Sequence, residues 1–388
     1  MKICILTPRY PFPENGGDVL RINGIARYLK RRGHQLVLLS LQETYSSDSN
    51  EGLYDTIIKV HHSKLKGVIG ALLALLFTNK PLQCGYYSSR SFQKSLKDVL
   101  VKEKPDLFIS HLLRMAPYLV KESLQEKSII EMTDALSVTY SLSDKADGFS
   151  IKKLVYGVEK RRIERFEHYV INNFKKVVLV SQKDVDYFKK EPNLKTDSLY
   201  CYKNGVDLES EEPRSYDPDK ICFIGNMRTL QNQDAVTYYV NNVFPTILKS
   251  RPSAKLYIVG AQPSATILAM ASSNIIVTGF VNSIYETICD ACYVIAPIRI
   301  AAGIQNKVLF AMAYHIPVIM TSLISKAIPE AKDGVNCLLA DNEEGFAALG
   351  NQLSTNFELR NRIGESGYQM VKEHYSWDSC LAGYEELT

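Results

Sequence analysis

Three loops in this 388-residue chain carry residue types suited to phosphate chemistry. In the first, Thr7-Pro8-Arg9-Tyr10-Pro11-Phe12-Pro13-Glu14-Asn15-Gly16-Gly17-Asp18 joins a short strand to a helix. Paired glycines there let backbone N–H groups approach an anion closely, and the helix dipole favours its charge. An ordinary tight turn is the competing reading. The loop has neither the G-x-G-x-x-G spacing nor the P-loop lysine, so neither a dinucleotide nor a Walker-type ATP site is signalled. The second loop, Gly225-Asn226-Met227-Arg228, also follows a strand. The third, Ala296-Pro297-Ile298-Arg299-Ile300-Ala301-Ala302-Gly303-Ile304-Gln305-Asn306-Lys307, opens a helix. Arg299 and Lys307 flank its small residues, and cations converging with backbone donors suit a diphosphate; a solvated pair of surface charges is the alternative.

The elements that must position these loops alternate. Strand Lys2 to Thr7, a helix from about Asp18 to Arg32 and strand Gln35 to Leu41 come first. Helix Ser91 to Lys102 and strands Leu107 to Ser110, Ser128 to Met132 and Lys176 to Ser181 follow, with a charged helix from about Ile151 to Asn173 before the last. Such alternation predicts a doubly wound parallel sheet. It lapses between Asn204 and Lys220, where Glu209 to Glu212, Pro213 and Asp217-Pro218-Asp219 are turn formers and charges, and the boundary is drawn as a linker over 205–220 after a first domain of 1–204. Strand Ile221 to Ile224, helix Gln233 to Ser250, strands Lys255 to Val259, Ile275 to Thr278 and Tyr293 to Ala296, helix Lys307 to Tyr314 and strand Pro317 to Thr321 predict a second such domain. Ligands of open parallel sheets sit beyond the strands' carboxyl ends, so the chemistry is expected in a cleft between the two domains.

Composition narrows the function classes. With 46% hydrophobic and 23% charged residues the chain is too apolar for disorder, and a net charge of +4 over this length argues no nucleic-acid partner. Eight scattered cysteines, mostly in apolar runs, read as core thiols in a reducing compartment, including Cys289-x-x-Cys292, which has no second Cys/His pair nearby. The start, Met1-Lys2-Ile3-Cys4-Ile5-Leu6, has no signal-peptide pattern, and a cytoplasmic location is expected. Leu65 to Phe77 is too short to span a bilayer, and runs of this length are usually core helices. Its basic flank, His61, His62, Lys64 and Lys66, suits instead an anionic membrane surface or the floor of a pocket for a lipid-like acceptor. The pairs Arg161-Arg162 and Lys175-Lys176 are further candidates for membrane contact.

Over nearly its whole length the sequence resembles glycosyltransferase family 4 (group 1), the retaining sugar transferases of GT-B fold, in particular the branch found in bacterial surface-polysaccharide gene clusters. The resemblance is carried by Gly16-Gly17, Thr133-Asp134-Ala135-Leu136-Ser137, Glu159 through Arg165 to Glu167, Val180-Ser181-Gln182-Lys183-Asp184, Asn204-Gly205-Val206-Asp207, Gly225-Asn226-Met227, Ile258-Val259-Gly260, Thr278-Gly279-Phe280-Val281 and Ala296-Pro297 through Gly303 to Leu309. It implies an α/β architecture of two Rossmann-like domains facing across a cleft, with the acceptor bound by the first and the nucleotide-sugar by the second, at 221–375. Tyr375-Ser376-Trp377-Asp378 looks like the segment that crosses back to the first domain, here 376–388.

The resemblance further implies sugar transfer from a nucleotide-sugar donor with no metal and no other cofactor. Gly16 and Gly17 would offer N–H groups to the phosphate, Arg299, Lys307 and Arg228 would offset its charge, and the backbone at Phe280 and Val281 would hold the base. Gly225, Asn226, Gly303, Ile304, Gln305 and Asn306 complete the donor loops. His111 falls where the family often has a histidine near the reacting sugar, and Asp134 sits where it would bind the acceptor hydroxyl or act as its base. Alone, His111 reads as a structural loop histidine and Asp134 as a cap. One departure stands out: where the family usually has two acids eight positions apart, this chain has Ala302 and Phe310. Phe310 cannot accept a hydrogen bond from a ribose, which implies a changed nucleotide, a substitute acceptor such as Gln305 or Asn306, or weak activity. The expected function is sugar transfer to a lipid-linked saccharide in capsule, O-antigen or exopolysaccharide assembly, with possible contact at the inner-membrane surface. The alternatives are a catalytically silent GT-B partner subunit and a sugar-nucleotide epimerase.

Overall fold

The computed structural model describes residues 1–14, 16–43, 52–143, 151–208, 215–300 and 305–388. Two compact units result: Met1–Gly205 together with Cys380–Thr388, and Val206–Ser379. Each is a parallel sheet flanked by helices.

In the first unit the strands are β1 (Lys2–Thr7), β2 (Gln35–Gln42), β3 (Thr56–His61), β4 (Leu107–His111), β5 (Ser128–Thr133), β6 (Lys176–Leu179) and β7 (Leu199–Cys201). Their spatial order is β3-β2-β1-β4-β5-β6-β7, parallel throughout. Central strands covered on both faces must be continuously apolar, and Ile3 to Leu6 and Leu36 to Leu39 are accordingly buried. Edge strand β3 was not anticipated: its Thr-Ile-Ile-Lys-Val-His run is largely half-exposed and shows no apolar block. The winding reverses between β1 and β4, which makes their carboxyl ends the switch point where such sheets bind ligands.

A buried polar knot ties the C-terminal segment into this unit. Arg21, on the helix Gly17–Arg31, pairs with Glu131 of β5 at 2.6 Å, both side chains fully buried. Arg21 Nη1 donates to the Tyr202 carbonyl (3.0 Å) and Asn204 Oδ1 (2.9 Å), and Tyr384 donates its O–H to Glu131 Oε1 at 2.8 Å. Lys176 Nζ donates to the Leu387 carbonyl.

The second unit holds β8 (Asp217–Ile224), β9 (Lys255–Val259), β10 (Ile275–Gly279), β11 (Ala291–Ala296), β12 (Val318–Met320) and β13 (Leu338–Leu339), in the order β10-β9-β8-β11-β12-β13. Strand β8 begins inside the stretch read as linker, because Asp217 pairs with Ala291 and its N–H donates to the Asp290 carbonyl at 2.8 Å. The linker residues Glu209 to Glu212 and Pro213 lie outside the described residues. The single helix expected over Gln233 to Ser250 is three pieces: α over Leu230–Tyr238, a wider π turn over Tyr239–Val243, and α over Phe244–Ser250. Pro245 explains the break, since it has no N–H to donate and its ring crowds the carbonyl four residues earlier.

The apolar run is a helix, Lys64–Phe77, but not a core helix. Gly67 and Ala74 are its only buried residues, while Leu65, Val68, Ile69, Leu72, Leu73, Leu76 and Phe77 are exposed. The small residues decide which side packs. A Cβ on Gly67 would lie 2.6 Å from the Tyr86 ring and one on Gly70 2.4 Å from the Gly85 carbonyl oxygen, so the helix Leu82–Tyr86 fits only against this glycine face. Arg162, read as a membrane-facing cation, instead donates to the carbonyls of Ala74 (3.1 Å) and Leu75 (2.9 Å). Lys175 pairs with Glu126. Among the described residues no helix is long and apolar enough to cross a membrane.

Candidate functional site

In the first unit, Gly16 is the N-cap of the helix that follows β1, with φ 118° and ψ 151°, a region open to glycine and strained for other residues. No side chain caps this helix start. Asp18 in the first turn would repel an anion, but Arg9 forks onto it, with Nε to Oδ2 at 2.9 Å and Nη2 to Oδ1 at 2.5 Å. Desolvation alone would raise the Asp18 pKa; the Arg9 hydrogen bond and charge hold it below the ordinary value. Arg9 also lies close over Gly16, where a Cβ would meet its Nη2 at 2.9 Å. Nothing in the loop's sequence distinguished Arg9.

Across the switch point, His111 ends β4. Its ring is buried, and both nitrogens lack a hydrogen-bond partner among the described residues, as do the hydroxyls of Thr7 at the end of β1 and Thr133 at the end of β5. Three neighbouring strands thus present unsatisfied polar atoms at one edge of the sheet, where a buried polar group without a partner costs about 1–3 kcal/mol. The backbone is strained at the same edge, with Leu112 at φ 71° and Thr133 at φ 72°, a conformation rare for a β-branched residue. Asp134 follows Thr133 and is exposed; partial desolvation raises its carboxyl pKa against the pull of Arg21.

Burial lowers the His111 pKa to about 3 against the pull of Asp18, and Arg21, Arg114 and Arg9 add to the lowering. The ring is therefore neutral at pH 7 and offers one donor and one acceptor. Replacing His111 with Ala is expected to lower turnover about tenfold to a hundredfold, the equivalent of one or two lost hydrogen bonds. The rate profile between about pH 5 and 8 should contain no inflection that disappears in the variant. An inflection near 6.5 removed by His111→Ala would show that the ring titrates as a solvated imidazole.

In the second unit the winding reverses between β8 and β11, and the loops after these strands are Gly225–Arg228 and the segment leading to Lys307. Gly260 lets β9 pass against the first loop: at φ 148°, a Cβ there would lie 1.8 Å from the Gly225 carbonyl oxygen. Asn226 Oδ1 accepts from the Arg228 N–H at 2.9 Å, holding the turn, while Arg228 itself is exposed.

Lys307, on the first turn of the helix Asn306–Ala313, is buried; its ammonium lies 4.8 Å from the Phe223 ring centroid and donates to Asn232 Oδ1. Among the described residues no carboxylate pairs with it, and burial lowers its pKa to about 8. Arg299 is placed differently. It grips Asp234, with Nε to Oδ2 at 3.1 Å and Nη2 to Oδ1 at 2.6 Å, and lies over the Tyr238 ring at 4.5 Å. The two cations read together from sequence are thus unequal: one has a carboxylate partner, and among the described residues the other has none.

Gln305 is buried as the N-cap residue of the Asn306–Ala313 helix, and Asn306 is exposed. Phe280 is 62% exposed directly after β10, and Val281 packs partly against the core. Phe310 also packs partly against that core. Ala302, Gly303 and Ile304 lie outside the described residues.

Residues 218–356, most of the second unit, match the family described as "Glycosyl transferases group 1". Over these residues the chain matches the group 1 glycosyltransferases. An "Uncharacterized 44.6 kDa protein in cps region" of Klebsiella pneumoniae is 23% identical over 394 residues, covering 96% of each chain. Among solved structures, Anabaena Alr3699/HepE in complex with UDP-glucose superposes with a TM-score of 0.59 at 14% identity, covering 100% of this chain and 99% of that one. The apo form of the lipopolysaccharide outer core galactosyltransferase WaaB does so at 0.55 and 10% identity, covering 100% and 98%. The chain therefore has the GT-B fold of these structures, and Gly16, His111, Gly225 and Lys307 lie at or after the strands that flank the switch point of each sheet.

Proposed function

We propose that this glycosyltransferase transfers a hexose from a nucleoside diphosphate sugar to a lipid-linked saccharide during bacterial surface-polysaccharide assembly, with retention of configuration and without a metal ion. The observation that carries the donor half of this reading is Lys307, a buried ammonium with no carboxylate partner among the described residues. A buried cation of that kind calls for an anion, and a diphosphate supplies one with geometry for several donors. As the bond from the sugar's anomeric carbon to phosphate oxygen breaks, its electron pair goes to that oxygen. Lys307 and the N–H groups at the start of its helix are the charge partners for the departing diphosphate.

The remaining residues take supporting roles. Gly16, Gly17 and Arg9 form the anion-favouring helix start of the first domain, and neutral His111 is a hydrogen-bond partner for the sugar. Asp134, with its raised carboxyl pKa, is suited to take the acceptor hydroxyl's proton as the new bond to the anomeric carbon forms. The UDP and UDP-glucose named for HepE make uridine nucleotides the first donors to test, and the cps region of the Klebsiella relative supports a capsule context.

A thermal-shift screen of the purified protein against UDP, GDP, TDP, CMP and their sugar conjugates tests this. A ligand at about 100 times its Kd stabilises by about 2.7 kcal/mol, so one nucleotide family should raise the melting temperature measurably. Turnover should survive EDTA, and NMR of the product should show the donor's anomeric configuration; an EDTA-sensitive rate or an inverted product would remove the corresponding part of the proposal. No shift with any nucleotide would favour a catalytically silent partner subunit, the reading that Phe310 at the usual acidic position supports.

A further inference from the structure

The exposed face of the Lys64–Phe77 helix borders a groove of about 490 Å³ in the first domain. Ile69, Leu73 and Phe77 form its apolar wall. Five cations, Lys66, Lys80, Arg90, Arg114 and Lys121, line the same groove, and among the described residues no carboxylate does. Three observations show that these charges are incompletely neutralised among the described residues. The Arg114 Nε is buried without a hydrogen-bond partner among the described residues. The Lys121 pKa is lowered, first by desolvation and then by the neighbouring Lys80, with Glu122 opposing the shift without cancelling it. Lys66 occupies the helix's first turn, which contains no acid, although the dipole disfavours cations there.

We propose that this groove is a binding site for the phosphate headgroup of a membrane lipid, with the Lys64–Phe77 helix lying in the bilayer interface. Charge complementarity identifies the occupant: clustered cations call for an anion, and the apolar wall beside them calls for a hydrocarbon chain joined to it. Seven exposed large apolar side chains on 14 residues give the helix a surface that water solvates poorly and a bilayer covers. The helix is held at both ends, by Ser63 accepting from the Lys66 N–H and by Arg162 on the last carbonyls, so it presents that surface without unfolding. The inference rests on the lipid-linked acceptor of the proposed function and does not depend on which sugar is transferred.

The test is sedimentation of the full chain with phosphatidylcholine vesicles containing about 20 mol % phosphatidic acid, or oleic acid at matched surface charge, at an ionic strength where surface charge still acts. The wild type should bind the phosphatidic acid vesicles more tightly than the oleic acid ones. Leu72→Asp with Leu76→Asp should abolish binding to both. Arg114→Gln with Lys121→Gln should weaken phosphatidate binding about 25-fold, since each cation near an anionic surface is worth about a factor of five, and should erase the preference over oleate. Glycerol 3-phosphate in solution should not compete, which separates a lipid headgroup from a free phosphate. Equal binding to both vesicles, no effect of the Arg114/Lys121 variant, or no vesicle binding would overturn the proposal, with a circular dichroism melt confirming that each variant is folded. The nucleotide screen on the same preparations reports separately on the transferase reading.

Discussion

Lys307→Met is expected to lower kcat/KM by about 10²–10³ while leaving the unliganded protein as stable as the wild type or more so. The loss follows from removing a positioned cation from a developing phosphate charge, typically worth that factor. Unchanged or increased stability follows from the absence of a carboxylate partner among the described residues: the Asn232 hydrogen bond and the Phe223 ring offset the ammonium's desolvation only in part, and methionine fills a similar volume without that cost. The sign with pH can be worked out. The Lys307 pKa is about 8 in the folded protein against an ordinary 10.5, so between those values the unfolded chain binds more protons, and wild-type stability rises with pH across that window. The stability advantage of the Met variant should therefore be largest below pH 8 and shrink above it. Nucleotide affinity of the wild type should fall as pH rises through about 8, because the anion needs the charged form. Calorimetric titration and melting curves at pH 7 and 10 check both halves; donor affinity preserved in Lys307→Met would make the residue structural.

The second large effect concerns stability. Glu131→Gln leaves the Arg21 guanidinium buried against a neutral amide, and breaking a buried pair in this way costs about 3–5 kcal/mol. Replacing both partners, Arg21→Met with Glu131→Leu, should recover most of that loss, because no charge then remains buried. Truncation after Ser379 removes the Tyr384 hydrogen bond to Glu131 and the Lys176 contact to Leu387, so it too should weaken the first domain. In scanning calorimetry the transition of the first domain should move down while that of the second stays in place. A double variant no more stable than Glu131→Gln, or a truncation that shifts the second transition, would refute this account of the knot.

Much of the architecture was legible because strands buried on both faces must be runs of Ile, Leu and Val, and because helices between them show their own period. The spacing of those runs placed Gly16-Gly17, His111, Asp134, Gly225 and Lys307 just beyond strand ends, where an open parallel sheet binds ligands. The resemblance carried by these motifs pointed to the family that the second unit matches.

Other features depend on partners distant in sequence. Arg299 and Lys307 read alike, yet Asp234, 65 residues away, neutralises only the first. Local sequence carries no trace of that pairing, nor of Arg21 meeting Glu131 110 residues on or Tyr384 meeting it across 253. The Lys64–Phe77 helix makes the same point about packing. Its hydrophobicity announces a helix that avoids water, but the side facing the protein is set by whether Gly67, Gly70 and Ala74 admit a neighbouring helix. Local sequence determined the elements, their order and the loops that carry chemistry, since propensity and hydrophobic period act within a few residues. Only the tertiary structure decided which charges are neutralised and which apolar face stays exposed, because electrostatic pairing and close packing depend on distance in space.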